Sequence, residues 1–214
     1  MKTPVLTARV GTNAELISEV ARLYLKKGML VADVTYGRGA FWNFKIPFDI
    51  CIHKTDLFPL KNPMVNPRDV MAVAGVEKAD FRRLPYPSNS MDVVVLDPPY
   101  MHGGGTIKKS IAGCYGNNKS GDWSHKKIVE LYSGGIVEAS RVLKDGGQLW
   151  VKCQDEIESG KQKWSHIEIL DDAHFAGFKS HDLFVLIQKT RPAQRQQKQH
   201  HARKNHSYLW VFVK

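Results

Sequence analysis

A chain of 214 residues with 43% hydrophobic and 24% charged residues has the length and apolar content for one globular domain with an ample core. Its net charge of +10 points to a polyanionic partner, nucleic acid before a membrane surface. No apolar run approaches transmembrane length, and MKTPVLTARVGTN lacks the apolar core of a signal peptide, which weighs against a membrane and for a cytoplasmic protein. Cys51, Cys114 and Cys153 are odd in number and show no C-x-x-C spacing, so reduced thiols are expected rather than a disulfide or a zinc site.

In chain order, Thr12 and Glu15 have capping-box spacing ahead of Leu16, Ile17, Val20, Leu23 and Tyr24, which predicts a helix ended by Gly28. MLVAD reads as a short buried strand ending at Asp33, and TYGRGAFW as a glycine turn into a short helical piece that Pro47 must stop. FDICIHKTD is a second strand, ending at Asp56. Residues 57 to 78, with Pro59, Pro63 and Pro67, read as irregular chain with at most one short helix. MDVVVLD is the clearest strand of all.

The stretch from Met101 to Trp123 holds six glycines and no apolar period, the pattern of a long loop. KIVELYSGGIVEASRVL then reads as an amphipathic helix, and LKDGGQLWVK as a helix stop, a turn and a strand. A further helix is expected near Ser165 to Ala176. LFVLIQK and YLWVFVK close the chain as two strands around a polar, basic insert. Strands alternating with helices predict an α/β domain with a mainly parallel sheet and an antiparallel finish.

In such sheets ligands bind beyond the carboxyl ends of the strands. Asp33, Asp56, Asp80 and Asp97 each follow or end a predicted strand. Gly37 and Gly39 lie just past the first of these strands, where they would let backbone N–H groups approach a ligand. A lone G-x-G is weak evidence, because glycines also serve tight turns. In VVVLDPPYMHGGG an apolar strand stops at an acid, and Pro98 and Pro99 fix the backbone and remove its donors. Such a turn leaves carbonyls pointing outward beside a carboxylate and an aromatic ring, which suits a site that grips a flat polar ring.

These residues resemble the amino-group methyltransferases that use S-adenosylmethionine. DVTYGRG, Asp33 to Gly39, is similar to their D-x-F-x-G-x-G loop, and DPPY, Asp97 to Tyr100, matches their D/N/S-P-P-Y/F/W motif fully. TNAELISEVARLYL resembles the helix they place beside the methionine end of the cofactor. ADFRRLPYPSNSMDVVVLDPPY resembles their run from third strand to catalytic loop. The resemblance spans most of the chain, from Thr12 to the last strand. There are two departures: Thr35 stands where Phe is usual, and Pro47 leaves little room for the first helix.

The resemblance implies a Rossmann-like class I methyltransferase, with a seven-stranded, mainly parallel sheet, an antiparallel last strand and helices on both faces. It implies S-adenosyl-L-methionine as cofactor and no metal. Gly37 and Gly39 would pass under the cofactor and Asp33 would bond its ammonium, with Thr35 in the same loop. Asp56 would accept from the ribose hydroxyls, Asp80 from the adenine amine, and Phe81 would pack on that ring. Thr12 would cap the first helix near the methionine carboxylate, or serve as a plain N-cap. Asp97 and the Pro98 carbonyl would accept both hydrogens of an exocyclic amine and localise its lone pair toward the sulfonium methyl. Pro99 would hold the turn and Tyr100 would stack on the base. The target must then be flipped out or single-stranded.

Two basic segments would hold nucleic acid. Lys108, Lys109, Lys119, Lys126 and Lys127 belong to the first, and Arg191, Arg195, Lys198, Arg203 and Lys204 to the second, which contains no acid. The second segment, RPAQRQQKQHHARKNHSYLWVF, also resembles small phage and bacterial DNA methyltransferases. The sequence reading is therefore one catalytic domain over residues 1–214 with no separate target-recognition domain. It acts on DNA, at adenine N6 before cytosine N4. The rivals are an RNA amino-methyltransferase acting on adenine N6 or guanine N2, a protein glutamine methyltransferase, and a nucleic-acid-binding module without turnover.

Overall fold

Val31 and Ala32, and Val93 through Leu96, are apolar on both sides of the chain, as strands covered on both faces must be. In the computed structural model, which describes residues 4–44, 49–59, 75–99, 124–188 and 200–214, they form β2 (Leu30–Asp33) and β5 (Met91–Leu96) at the centre of a sheet. The other strands of that sheet are β1 (Ala8–Val10), β3 (Cys51–Asp56), β4 (Glu77–Lys78), β6 (Leu143–Cys153), β9 (Lys179–Ile187) and β10 (His206–Val213). Their order is β1-β9-β10-β6-β5-β2-β3-β4. Every pair is parallel except those of β10, which runs against both β6 and β9.

The mainly parallel α/β architecture and the antiparallel last strand are as the sequence predicts. Among the described residues, however, the sheet has eight strands and not seven. Ala8–Val10 adds an edge strand by pairing in parallel with Val185–Ile187, and Glu77–Lys78 pairs with Thr55 and Asp56 inside the stretch expected to be irregular.

Both faces are covered. On one, α1 (Asn13–Tyr24) sets Leu16, Ile17, Val20 and Ala21 against Val31, Val93, Val95, Trp150 and Val211. The capping box is present, with Thr12 Oγ1 accepting from the Glu15 N–H and Glu15 accepting from the Thr12 N–H. Leu23 falls outside the buried stripe, 51% exposed, and Ala21 takes its place. Nor does Gly28 end the helix. The helix stops at Tyr24, capped by Leu25, and Gly28 turns the chain afterwards at φ 84°, donating to the Asp49 carbonyl.

On the opposite face lie α2 (His125–Val142) and α3 (Ser165–Phe175), whose Ile128, Tyr132, Ile136, Ala139 and Ile169 cover Ala32, Val94, Leu96, Leu149 and Val151. Gly135 lets α2 lie close: a Cβ there would stand 2.9 Å from Leu96 Cδ2 and 3.0 Å from Phe81 Cδ2. The turn expected in LKDGGQLWVK is a bulge within β6. Leu143 pairs with Met91 and Gln148 already pairs with Val93, with Gly146 at φ 76° between them. A small hairpin follows, β7 (Glu156–Glu158) and β8 (Lys161–Lys163), turning through Ser159 and Gly160, both at positive φ. The His125 ring ties the start of α2 to this hairpin and to α3, with Nδ1 2.8 Å from Glu156 and Nε2 3.0 Å from Glu168.

Cys51 is exposed and Cys153 buried, and both are free thiols. Cys114, Pro47 and the glycine-rich stretch from Met101 to Trp123 lie outside the described residues. Among the described residues, no helix is long and apolar enough to cross a membrane.

Candidate active site

Strand side chains alternate between the two faces of a sheet, and this alternation sorts the strand-end residues. Val31 and Val95 face α1, so Asp33 and Asp97, each two positions on, share that face at the carboxyl ends of β2 and β5. The glycine loop leaves β2 immediately beside the turn that leaves β5.

The loop is knitted together by carboxylates. Asp33 is 2% exposed, and its Oδ1 accepts from the Thr35 N–H (3.2 Å) while its Oδ2 accepts from Trp42 Nε1 (2.7 Å). Burial pushes its carboxyl up to about 7, against the pull of those two hydrogen bonds. Asp56 accepts from the Gly37 N–H at 2.9 Å and from the Phe58 N–H at 2.8 Å. Gly37 and Gly39 have φ of 53° and 69°, which L side chains rarely adopt. A Cβ on Gly37 would find nothing nearer than the Thr35 carbonyl at 3.9 Å, whereas one on Gly39 would sit 2.7 Å from Tyr36 Oη. Gly39 is required by its own neighbour, and Gly37 leaves its backbone open to an incoming group. The short 3-10 turn Ala40–Trp42 then brings Trp42 back onto Asp33.

The second half of the site is the turn after β5. The Asp97 N–H donates to Thr35 Oγ1 at 2.7 Å, so the residue standing where the loop it resembles has Phe hydrogen-bonds the glycine loop to this turn. A Phe could not make that bond. Pro98 is buried and Pro99 half-buried. Asp97 Oδ1 is inaccessible and has no hydrogen-bond partner among the described residues. Burial pushes the Asp97 carboxyl up to about 6, and the positive charge of Lys152 pulls the other way. Buried polar atoms are seldom left without a partner, so an orphaned carboxylate oxygen at a strand's end points to an absent donor.

The remaining predicted residues fall less neatly. Asp80 has its carboxylate bonded to Arg82, to Nε at 2.9 Å and to Nη2 at 2.6 Å, and this pairing holds it below the usual carboxylate range. Phe81 is 1% exposed inside the α2-side core, so its ring lies in the packing rather than at the surface of a cleft. Thr12 acts as the N-cap of α1. Tyr100, Lys108, Lys109, Lys119, Arg191, Arg195 and Lys198 lie outside the described residues.

Two features were missed in the sequence. Lys152 is 1% exposed in β6 and its Nζ donates to Ser207 Oγ at 2.6 Å. A lysine inside the apolar run LWVKC was the signal. The other is an aromatic patch beyond the same end of β6. Asp155 meets His166 Nδ1 at 2.7 Å, and the His166 ring stacks on Tyr208 and meets the edge of Trp164. Trp164 is 51% exposed and carries Lys204 Nζ 5.5 Å from its ring centroid, with Arg203 exposed next to it in sequence.

The model of a DNA methylase family, N6_N4_Mtase, matches residues 91–214, from β5 to the last residue. Among solved structures, the chain superposes on TrmN from Thermus thermophilus with a TM-score of 0.53 at 15% identity, over 94% of this chain and 48% of that one. It superposes on the methyltransferase in complex with the Haloferax volcanii Trm112 activator at 0.53 and 16%, over 94% and 88%. For an S-adenosylmethionine-dependent methyltransferase of Methanosarcina mazei the values are 0.51 and 11%, over 91% and 96%. At these identities the likeness carries the fold alone, and the chain spans about half the length of several structures it matches. No curated protein matches the sequence. The fold is the Rossmann-like one of the S-adenosyl-L-methionine-dependent methyltransferases, and the match over residues 91–214 makes this chain a member of the DNA methylase family.

Proposed function

We propose that this chain transfers the methyl group of S-adenosyl-L-methionine to an exocyclic amine of a nucleic-acid base, adenine N6 of DNA before cytosine N4. The observation that carries the reading is Asp97. Its N–H is fixed by Thr35 and its Oδ1 is left without a donor at the end of the central strand.

The residues fit the cofactor: a backbone opened by Gly37, with Asp33 and Asp56 holding the loop in shape. Bound there, S-adenosyl-L-methionine supplies a methyl group on a positively charged sulfur. What the protein adds is position and acceptors. An aromatic amine is a poor nucleophile because its lone pair is delocalised into the ring. The Asp97 carboxylate accepts one amine hydrogen and the Pro98 carbonyl the other, which turns the lone pair toward the methyl group. Preorganised acceptors of this kind supply most of the rate. Pro98 and Pro99 keep the turn from rearranging, and Tyr100 stacks on the base. Asp33, whose oxygens already take Thr35 and Trp42, serves first as the clasp of the loop.

The nucleic acid lies over the carboxyl ends of the strands. Lys108, Lys109, Arg191, Arg195, Lys198, Arg203 and Lys204 contact phosphates, and the exposed Trp164 beside Lys204 offers a stacking face. The chain works as one catalytic domain, in the cytoplasm of a bacterium or from a phage genome. The test is to incubate purified protein with labelled S-adenosyl-L-methionine and duplex DNA, single-stranded DNA or structured RNA, and to identify the product nucleoside by mass spectrometry. N6-methyldeoxyadenosine is the expected product. Label in RNA alone would move the substrate to RNA, and label in none would overturn the reading.

A further inference from the structure

Lysine is almost never fully buried unless it is paired, and Lys152 is 1% exposed at the penultimate position of β6. The register explains its position. Leu96 pairs with Val151 across the parallel β5–β6 ladder, so the next residues, Asp97 and Lys152, leave the sheet side by side. Val95 and Trp150, two positions before each, both belong to the α1-side core, so both side chains share that face. On the other side of β6, Leu209 of β10 pairs with Lys152, and Ser207 lies on the same face two positions earlier. Ser207 is fully buried and receives Nζ at 2.6 Å. The row across the strand ends is thus Asp33, Asp97, Lys152, Ser207.

Among the described residues, the charged and titratable groups that share the face of Asp97 at these strand ends are Asp33 from β2 and Lys152 from β6, while the Cys153 thiol beside Lys152 belongs to the opposite face. Lys152 is the cation of that set. Building on the reading of Asp97 as the amine acceptor, we propose that Lys152 is a positioning residue: its ammonium, anchored by Ser207, holds the Asp97 carboxylate in the ionised state that accepts the target's hydrogens. A serine anchor suits this role, because a neutral hydroxyl fixes the ammonium without neutralising it. Without Lys152, Asp97 would lose the positive charge that opposes its burial, take up a proton near neutral pH, and lose an acceptor where one is needed. Lys152 gains in return, since the carboxylate opposes the burial that lowers its own proton affinity.

The test is a carboxyl titration of Asp97 by NMR in the full chain labelled with 13C-aspartate, assigned from Asp97→Asn. It is run on wild type, Lys152→Met, Lys152→Arg and Ser207→Ala. The midpoint should rise by about 1 pH unit or more in Lys152→Met, by less in Ser207→Ala, and little in Lys152→Arg. An unchanged midpoint in Lys152→Met and Ser207→Ala would overturn the proposal. If Lys152→Met fails to fold, Ser207→Ala decides by the same criterion. In a parallel methyl-transfer assay, the acid limb of the pH profile should move with the midpoint; a lysine needed only for folding would lower the rate without moving that limb. A shifted midpoint in a protein whose wild type transfers no methyl group would support the pairing and sink the proposed function alone.

Discussion

The two faces of the sheet are built from the same strands and differ in how they end. On the α2 and α3 side, alternate residues stay apolar to the last position: Val94, Leu96 and Pro98 along β5 and its turn, Leu149, Val151 and Cys153 along β6. On the α1 side the same strands read Val93, Val95, Asp97 and Trp150, Lys152, and β2 reads Val31, Asp33. One face is packing throughout, and the other is packing that gives way to buried charge at the carboxyl end. The lesson concerns period: a one-residue slip would exchange the two sets. The register that fills the core also brings the carboxylates and the lysine into one row.

That division can be broken from either side. The largest effect expected is at Asp97. Asp97→Ala should lower methyl transfer by about 10²–10³-fold or more, the scale of losing a preorganised polar group. Cofactor affinity, read by calorimetry, should stay within a few-fold. Comparable loss of cofactor binding would mean that Asp97 belongs to the glycine loop's work and not to the target's.

On the packing face, Gly135→Ala forces a methyl within 2.9 Å of Leu96 Cδ2. It should cost about 1–3 kcal/mol in urea unfolding while leaving transfer per folded molecule unchanged. A loss of turnover without a loss of stability would blur the division.

Thr35 sharpens it, because its hydroxyl joins the glycine loop to the Asp97 N–H. Thr35→Val keeps the shape and removes the acceptor, leaving a buried donor that costs about 1–3 kcal/mol. Turnover should fall about tenfold or more, by the same conversion, and Thr35→Ser should restore most of it. Equal rates in the Val and wild-type enzymes would show that the joint plays no part in placing Asp97.

The pH dependence follows from burial. Asp97 is raised to about 6, so its carboxylate predominates only above that value. Turnover should rise as pH is brought from 5 through 6 to 7 and fall on the way back. The sign for stability is opposite. Asp33 and Asp97 bind protons more tightly in the native chain than when unfolded, so their contribution to stability declines between about pH 4 and pH 7. Urea midpoints across that range should decline less steeply in Asp33→Asn. The last effect is at the rim: Trp164→Ala should weaken nucleic-acid binding by about 1–3 kcal/mol, measured by fluorescence anisotropy, with little change in cofactor affinity or in turnover at saturating nucleic acid.

Much of this was legible in the sequence. The capping box at Thr12 and Glu15, the apolar strands before Asp33 and Asp97, and the glycines at 37 and 39 each follow from local chemistry. What escaped was set partly by partners distant in sequence and partly by segments that lack an apolar pattern. Ala8–Val10 becomes a strand because Val185–Ile187 offers an edge, and Glu156–Lys163 makes a hairpin of polar residues with no apolar alternation. In that hairpin only Ser159-Gly160 signals a turn. Phe81 has an adenine-packing role only through the family resemblance, and its burial beside Gly135 in the α2-side core depends on contacts that a linear reading does not show. Lys152 was overlooked because a lysine between apolar residues reads as a surface break until the register sets it beside Asp97.

The most direct test of the account is single-turnover methyl transfer at saturating S-adenosyl-L-methionine, run on Asp97→Ala and Gly135→Ala together and normalised to the folded fraction of each. The account predicts near-wild-type transfer from Gly135→Ala and almost none from Asp97→Ala. Full activity in Asp97→Ala, or equal losses in both, would contradict it.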